Sequence, residues 1–117
     1  MAMRPTDFAG GVPVEGYGPG FFRAAGEVHH GAVIVTDAGA RPWGGLDDTA
    51  PLLALAGQVD VLFMGMGAEI ARLPADLADR LRDAGLMVET MASPPAARSY
   101  NVTLSEGRRV ACALIPV

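Results

Sequence analysis

The sequence is poor in the residues from which many catalytic and metal sites are built. It contains one cysteine, Cys112, and no lysine, so its nine positive charges are all arginines. A single cysteine excludes an intramolecular disulfide and fits a reducing compartment, while the absence of lysine excludes Schiff-base chemistry. The two histidines, His29 and His30, are adjacent, and on a strand they would point to opposite faces. With one cysteine and no third histidine, the sequence offers too few ligands for a zinc site.

Long hydrophobic runs are also missing. The longest apolar stretch, from about Val59 to Met66, is interrupted by Asp60 and Gly65. It is far shorter than the roughly 18 residues that a membrane-spanning helix needs. The N-terminal residues lack the apolar core of a signal peptide. We therefore expect a soluble, cytoplasmic protein that does not insert into a membrane.

Charge and length limit the class of protein further. The formal net charge is -4, and the arginines are scattered along the chain. Proteins that bind nucleic acids usually have a basic face, so we expect no nucleic-acid partner. The length of 117 residues, half of them hydrophobic, predicts a single domain, residues 1–117, with a substantial core.

The first half of the chain is predicted to be rich in strands. Residues 1–20 contain many glycines and prolines and are typical of an extended N-terminal arm, with room for one short strand. Phe21–Val28 and Ala32–Thr36 are predicted strands, joined as a hairpin by a turn at His29–Gly31. Val59–Met64 is a nearly continuous apolar run, which suits a strand that is buried on both faces.

Helices and strands alternate in the second half. A short helix is predicted from a cap at Asp47 or Asp48 to about Ala56. A second helix begins with Pro74 at its first position and ends at Gly85. A third begins after an N-cap at Ser93 and ends at Gly107. The intervening strands are predicted at 86–91 and 108–115. This order predicts an α/β domain with layers packed on a mixed sheet.

Two segments are candidates for a binding site. Gly65, Met66 and Gly67 follow a buried strand, which allows two interpretations: a phosphate or cofactor loop, or a tight turn that requires positive φ. A nucleotide fingerprint would need the glycines to open a helix directly, and the next helix begins about seven residues later. The start of the third helix, with Ser93 and Arg98, is either an anion site or an ordinary cap, because Pro94 and Pro95 remove two donors.

No nucleophile with its activating partners is recognisable. Cys112 lies between apolar residues of a predicted strand, and we expect a buried structural thiol, since reactive thiols need an accessible, electropositive setting. The serines lack the context of a nucleophile elbow. Phe21, Phe22 and Trp43 are candidate interface residues, because large aromatic side chains are common at binding hot spots.

The C-terminal third resembles a known family. Ala97–Val102, with the letters ARSYNV, and Leu104–Val110, with the letters LSEGRRV, are similar to the signature of the Mth938-like domain family, also called DUF498/DUF598. Supporting similarities are spread through the chain, at Gly18–Phe22, Pro42–Trp43, Gly65–Gly67, Gly85–Leu86 and Glu89–Met91. The resemblance implies a three-layer α/β fold with a central mixed sheet. It also implies many members without an established activity, and one mitochondrial member that helps to assemble respiratory complex I.

Three hypotheses about function follow. The first is a non-enzymatic interaction or assembly protein with protein partners, no cofactor and no catalytic residues. The second is a small-molecule-binding protein or weak enzyme, with a pocket between Gly65–Gly67 and the helix start at Ser93–Arg98 that also includes Ser99, Tyr100 and Asn101. The third is a self-associating domain, a homo-oligomer whose interface contains Phe21, Phe22 and Trp43.

Overall fold

Two β-sheets and three helices make up the chain in a computed structural model, which describes residue 8 and residues 10–117. The smaller sheet contains β1 Val14–Gly18, β2 Phe21–Ala24 and β3 Glu27–His30, in that order. The larger sheet is built from β4 Val33–Thr36, β5 Gly39–Pro42, β6 Val61–Gly65, β7 Val88–Met91 and β8 Val110–Leu114. The helices are α1 Ala50–Leu53, α2 Ala75–Asp83 and α3 Ser93–Ser105.

The larger sheet is mixed and has β8 at its centre. Its strand order is β5-β4-β8-β6-β7. The pairs β4–β5 and β4–β8 are antiparallel, whereas β6 runs parallel to both β8 and β7. The helix α2 connects β6 to β7, and α3 connects β7 to β8. Every residue of β6 and β8 is buried, which explains why these two segments are apolar at consecutive positions rather than at alternate ones.

The sheet separates two hydrophobic cores. On one side, Val110, Cys112 and Leu114 of β8 pack against α3 and the smaller sheet. On the other side, Ala111 and Ala113 pack with the residues of α1 and α2. The helices α1 and α2, the larger sheet, and α3 with the smaller sheet thus form three layers. This arrangement confirms the predicted three-layer α/β fold with a central mixed sheet.

The N-terminal half has more strands than the sequence predicted. The predicted strand Phe21–Val28 is two strands, β2 and β3, joined by the two residues Ala25 and Gly26. His29 and His30 belong to β3 instead of forming a turn. The expected hairpin between the first two predicted strands was therefore wrong. β4 pairs with β5, a strand that the sequence did not indicate because two of its four residues are exposed and one is proline.

The predicted N-terminal arm contains one strand. β1 pairs antiparallel with β2, and the pairing is irregular between Val14 and Gly16. Residues 1–7 and 9 of the predicted arm lie outside the described residues.

The helix starts also differ from the predictions. α1 begins after Thr49, and the carboxylate of Asp48 instead accepts a hydrogen bond from the Gly44 N–H at 3.0 Å. Pro74 is the N-cap of α2 rather than its first residue. Ser93 is the first residue of α3, after Ala92 at the N-cap. Its hydroxyl does not cap the helix, because it bonds to other elements.

The turn between β2 and β3 yields a stability prediction. Ala25 and Gly26 both have positive φ, 55° and 74°, as the two central residues of a type I′ turn require. Alanine is strained there, whereas asparagine is favoured. We expect Ala25→Asn to raise the free energy of unfolding by about 0.5–1 kcal/mol, measured by urea denaturation. The control Gly26→Ala should lower it, and a loss of stability in both variants would contradict this assignment of the turn.

Candidate functional site

The start of α3 fills the space next to the glycine loop that follows β6. A Cβ atom added to Gly65 would lie 2.7 Å from the Ser93 Oγ and 2.8 Å from a methyl carbon of Leu114. Glycine is therefore required at this position because a helix and a strand approach its backbone. Gly67 has a φ of 98°, the conformation that the turn interpretation of this loop requires.

Ser93 uses both hydrogen-bonding functions of its hydroxyl inside the chain. The Oγ donates to the Ile115 carbonyl at 2.6 Å and accepts from the Gly67 N–H at 2.9 Å. The Ser93 N–H in turn donates to the Gly67 carbonyl at 2.8 Å, and Ile115 N–H donates to the Gly65 carbonyl at 2.9 Å. Ser93 is completely buried. It thus connects the ends of β6 and β8 to the first turn of α3, and its hydroxyl is not open to a ligand.

Met66 continues the backbone ladder of the sheet. Its N–H donates to the carbonyl of Met91, the last residue of β7, at 2.8 Å, which extends the pairing with β7 one residue beyond the end of β6. The side chain of Met66 packs on the α1–α2 side of the sheet. The three residues 65–67 are therefore held from two sides, by β7 and by Ser93.

Tyr100 and Asn101 attach the smaller sheet to α3. The Tyr100 hydroxyl donates to the Val12 carbonyl at 2.6 Å. The Asn101 side chain accepts from the Val14 N–H and donates to the Val14 carbonyl, both at 2.8 Å. Asn101 therefore bonds to β1 as a neighbouring strand residue would. Both residues were predicted to line a pocket, and in the structure their polar atoms bond to the chain itself.

Burial keeps two titratable groups of this region neutral. It is the main cause that raises the pKa of the Tyr100 phenol above its ordinary range, with smaller effects from Cys112 and Asp37. Burial also raises the pKa of the Cys112 thiol, which is fully buried in β8. Neither group is prepared for nucleophilic or acid–base chemistry, because each would have to ionise without contact with water.

Arg98 and Ser99 lie apart from the glycine loop. Arg98 is exposed, and the Ser99 hydroxyl contacts the Met91 sulfur at 3.7 Å. Both residues line an open cleft of about 600 Å³ that also contains Phe63, Glu89 and Val102. The eight predicted pocket residues are thus divided between internal contacts and this cleft. We call this cavity the α3-side cleft, because it lies between α3 and the face of β6 and β7 that is directed toward α3.

The candidate interface residues lie mostly in the interior. Phe22 is 1% exposed and Trp43 is 5% exposed, and they belong to different hydrophobic cores. The Trp43 indole N–H donates to the Asp48 carbonyl at 2.9 Å. Phe21 is half-buried, with its ring packed over Gly18 and 6.4 Å from the ring of His30. Of the three, only Phe21 has a face that a partner can reach without rearrangement of a core.

A second open cavity lies on the other face of β7. It has a volume of about 810 Å³ and is lined mainly by apolar side chains from α2, β7 and the loop between β6 and α2. We call it the α2-side groove. Ile70 and Met87 at its margin are 73% and 60% exposed. Exposed apolar residues in such a group mark many binding surfaces. The sequence did not reveal this surface. Ile70 and Met87 look like ordinary loop and strand residues until the strand order shows that β7 lies at the edge of the sheet.

The part of the chain that the structure describes contains neither a metal-ligand cluster nor a membrane-spanning helix. In residues 8 and 10–117, no three side chains of His, Cys, Asp or Glu form a group suited to a metal ion. Within the same residues, no helix combines the length and the apolar character that crossing a membrane requires.

Comparison with known sequences identifies a family and related proteins. A family described as "Protein of unknown function (DUF498/DUF598)" matches residues 14–115 of this chain. An uncharacterised protein of Rhodobacter capsulatus is 56% identical over 117 residues, which cover 100% of this chain and 94% of the relative. NADH dehydrogenase [ubiquinone] 1 alpha subcomplex assembly factor 3 of Danio rerio is 29% identical over 123 residues. That match covers 99% of this chain and 71% of the fish protein.

The fold has a relative among solved structures. The solution NMR structure of a Bordetella pertussis protein, described as a Mth938-like domain, matches with a TM-score of 0.77. The match covers 99% of this chain and 91% of the other, with 24% sequence identity. At this level of identity the similarity concerns the fold.

The buried hydroxyl of Ser93 should be important for stability. Ser93→Ala leaves the Gly67 N–H and the Ile115 carbonyl without their partner, and each unsatisfied buried group is costly. We expect the free energy of unfolding to fall by about 2–3 kcal/mol, as measured by urea denaturation. The matched control is Ser105→Ala in the last turn of the same helix, where the hydroxyl bonds to Val102 near solvent. Its effect should stay within about 0.5 kcal/mol, and equal losses in the two variants would refute the role of Ser93.

Cys112 should not react in the native protein. Because burial suppresses the thiolate, Ellman's reagent at about pH 8 should leave this single thiol almost entirely unlabelled over hours, whereas an exposed cysteine is partly ionised at that pH and reacts. In guanidinium chloride the same thiol should react completely within minutes. Rapid labelling of the folded protein would show that β8 opens locally.

Proposed function

Because this chain belongs to the DUF498/DUF598 family, we propose that it is a non-enzymatic interaction protein that takes part in the assembly of a respiratory complex. The Danio rerio relative, an assembly factor for NADH dehydrogenase, supports this role over almost the whole length of the chain. In this role the protein acts in the cytoplasm and reaches the membrane through its partners.

The observation that carries the proposal is the way in which the chain uses its own polar groups. Ser93, Tyr100 and Asn101 look like ligand-binding residues in the sequence, and each bonds to the backbone of another element. Among the described residues, every buried side-chain nitrogen or oxygen has a hydrogen-bond partner. Binding and catalytic sites commonly keep such groups free for a ligand. This use of the polar groups favours a rigid surface for other proteins over a reaction centre.

The alternative of a small-molecule-binding protein or weak enzyme has less support. Its pocket was expected between Gly65–Gly67 and Ser93–Arg98, and Ser93 itself fills that space. Two open cavities flank β7, and neither is lined by Gly65, Gly67 or Ser93. Self-association through Phe21, Phe22 and Trp43 is likewise less favoured, since two of these residues belong to hydrophobic cores.

Deletion of the gene in the source organism tests the assembly role. We expect membranes of the deletion strain to lose most of their assembled NADH dehydrogenase complex, as seen on native gels with an activity stain. A plasmid copy of the wild-type gene should restore the complex. Succinate dehydrogenase in the same membranes is the control and should remain unchanged. A normal amount of NADH dehydrogenase complex in the deletion strain would end the proposal.

A further inference from the structure

We propose that the open edge of β7 binds an acidic, extended segment of another protein, which adds to the larger sheet as a sixth strand. The inference rests on the proposed interaction role and names the surface and the chemistry of the partner. Four observations support it: the free backbone groups of β7, the unprotected character of this edge, the two cavities beside it, and the local excess of arginine.

The backbone of β7 has one bonded side and one open side. The Met87 carbonyl accepts from the Leu62 N–H and the Met91 carbonyl accepts from the Met66 N–H, both at 2.8 Å. Alternate residues of a strand direct their backbone groups to opposite sides. Val88 and Thr90 therefore direct their N–H and C=O groups away from β6. No strand among the described residues pairs with that side.

The two edges of the larger sheet differ in how well they are protected against the addition of another strand. At the opposite edge, β5 contains Arg41 and Pro42, both exposed. Proline and charged residues on an edge strand hinder the addition of another strand. β7 has the sequence Val-Glu-Thr-Met, with no proline and with Glu89 as its one charged residue, so fewer of these features oppose strand addition than at β5. Its open backbone groups are accordingly suited to pair with an incoming strand.

The cavities beside β7 match the two faces of an added strand. Val88 and Thr90 line the α2-side groove, and Glu89 lines the α3-side cleft. The side chains of an added strand would alternate between these two spaces. Ile70, Leu73 and Leu86 make the α2-side groove apolar, so it suits apolar side chains of the partner. Met87, which is 60% exposed, borders both spaces.

The charges around β7 indicate what kind of partner segment would bind there. The lining of the two cavities contains four arginines and a single carboxylate, that of Glu89, in a chain whose net charge is -4. The arginines are Arg72 and Arg82 at the α2-side groove, and Arg98 and Arg108 at the α3-side cleft. Arg82 also contacts Asp79 at 2.9 Å, and the surface keeps an excess of positive charge when that carboxylate is counted. A partner segment with Asp or Glu complements this surface.

The same charges disfavour a second copy of this chain on the edge. Two copies of β7 paired antiparallel would be related by a twofold axis perpendicular to the sheet. That symmetry would place the α3-side clefts of both copies on the same face, with Arg98 and Arg108 of one copy toward those of the other. Like charges brought together across an interface oppose association.

The test is photo-crosslinking in the source organism with the full-length chain. Benzoylphenylalanine replaces Met87 in one strain and, as the control, Tyr17 of the smaller sheet, which is 47% exposed. Irradiation should crosslink the Met87 position to another protein about tenfold more than the Tyr17 position. Mass spectrometry of the adduct should identify a segment with more Asp and Glu than Lys and Arg. A crosslink to a second copy of this chain, to a neutral or basic segment, or at equal yield from both positions would overturn the inference.

Two further variants separate the charge effect from the strand effect. In the Met87 crosslinking strain, Arg98→Glu with Arg108→Glu should reduce the adduct about tenfold. Arg23→Glu with Arg41→Glu is the matched control of exposed arginines elsewhere on the chain, and it should leave the yield unchanged. Thr90→Pro removes an N–H that points away from β6, so the internal pairing remains while the adduct is lost. Thermal unfolding of each purified variant checks that it is folded. An adduct that survives Thr90→Pro would exclude strand addition, and one that survives the change of Arg98 and Arg108 would exclude an acidic partner segment.

The outcomes distinguish this inference from the proposed function. If the crosslink forms as expected while deletion of the gene leaves the NADH dehydrogenase complex intact, the edge binds a partner of another pathway. If deletion removes the complex while the Met87 position yields no adduct above the control, the assembly role stands and the edge of β7 is not its surface.

Discussion

The arrangement of the domain depends on the buried hydroxyl of Ser93, where the ends of β6 and β8 meet the first turn of α3. Its oxygen accepts from Gly67, two residues after β6, and donates to Ile115, the residue after β8. Ser93 and Leu114 approach so closely there that no side chain fits at Gly65. Because α3 is fixed there, its later residues Tyr100 and Asn101 can hold β1 in place. The position of the smaller sheet thus depends on contacts that begin at the opposite end of the helix.

Most of the residues that the sequence presented as a site belong to this scaffold, while Arg98 and Ser99 line the α3-side cleft. Serine, tyrosine and asparagine at a helix next to a glycine loop are the residue types from which binding sites are made, and here they join secondary structure elements to one another. The more accessible surface is the rim of β7, where apolar and arginine side chains surround an unpaired strand. In the proposed interaction role, this edge offers a partner its shape and its charge.

The sequence was sufficient to predict the helices and strands that have a strong periodic or apolar pattern. The buried strands β6 and β8 and the helices α2 and α3 lie close to their predicted positions, because burial on both faces or on one helical face leaves a readable pattern. The sequence was insufficient where strand pairing or hydrogen bonding depends on residues far away in the chain. β5 and the division between β2 and β3 depend on neighbours that the local sequence does not show, and the role of Ser93 depends on Gly67 and Ile115, which are 26 and 22 residues away.

The tie between β1 and α3 has a consequence for biosynthesis. Val14 and Asn101 are separated by 87 residues, and β4 pairs with β8, which is the last strand to be translated. While the ribosome is still producing the C-terminal half, β4 has no partner on its β8 side and Phe22 has no helix to cover it. Contacts of such long sequence separation make folding slow. The nascent chain therefore displays apolar strands until β8 has been synthesised.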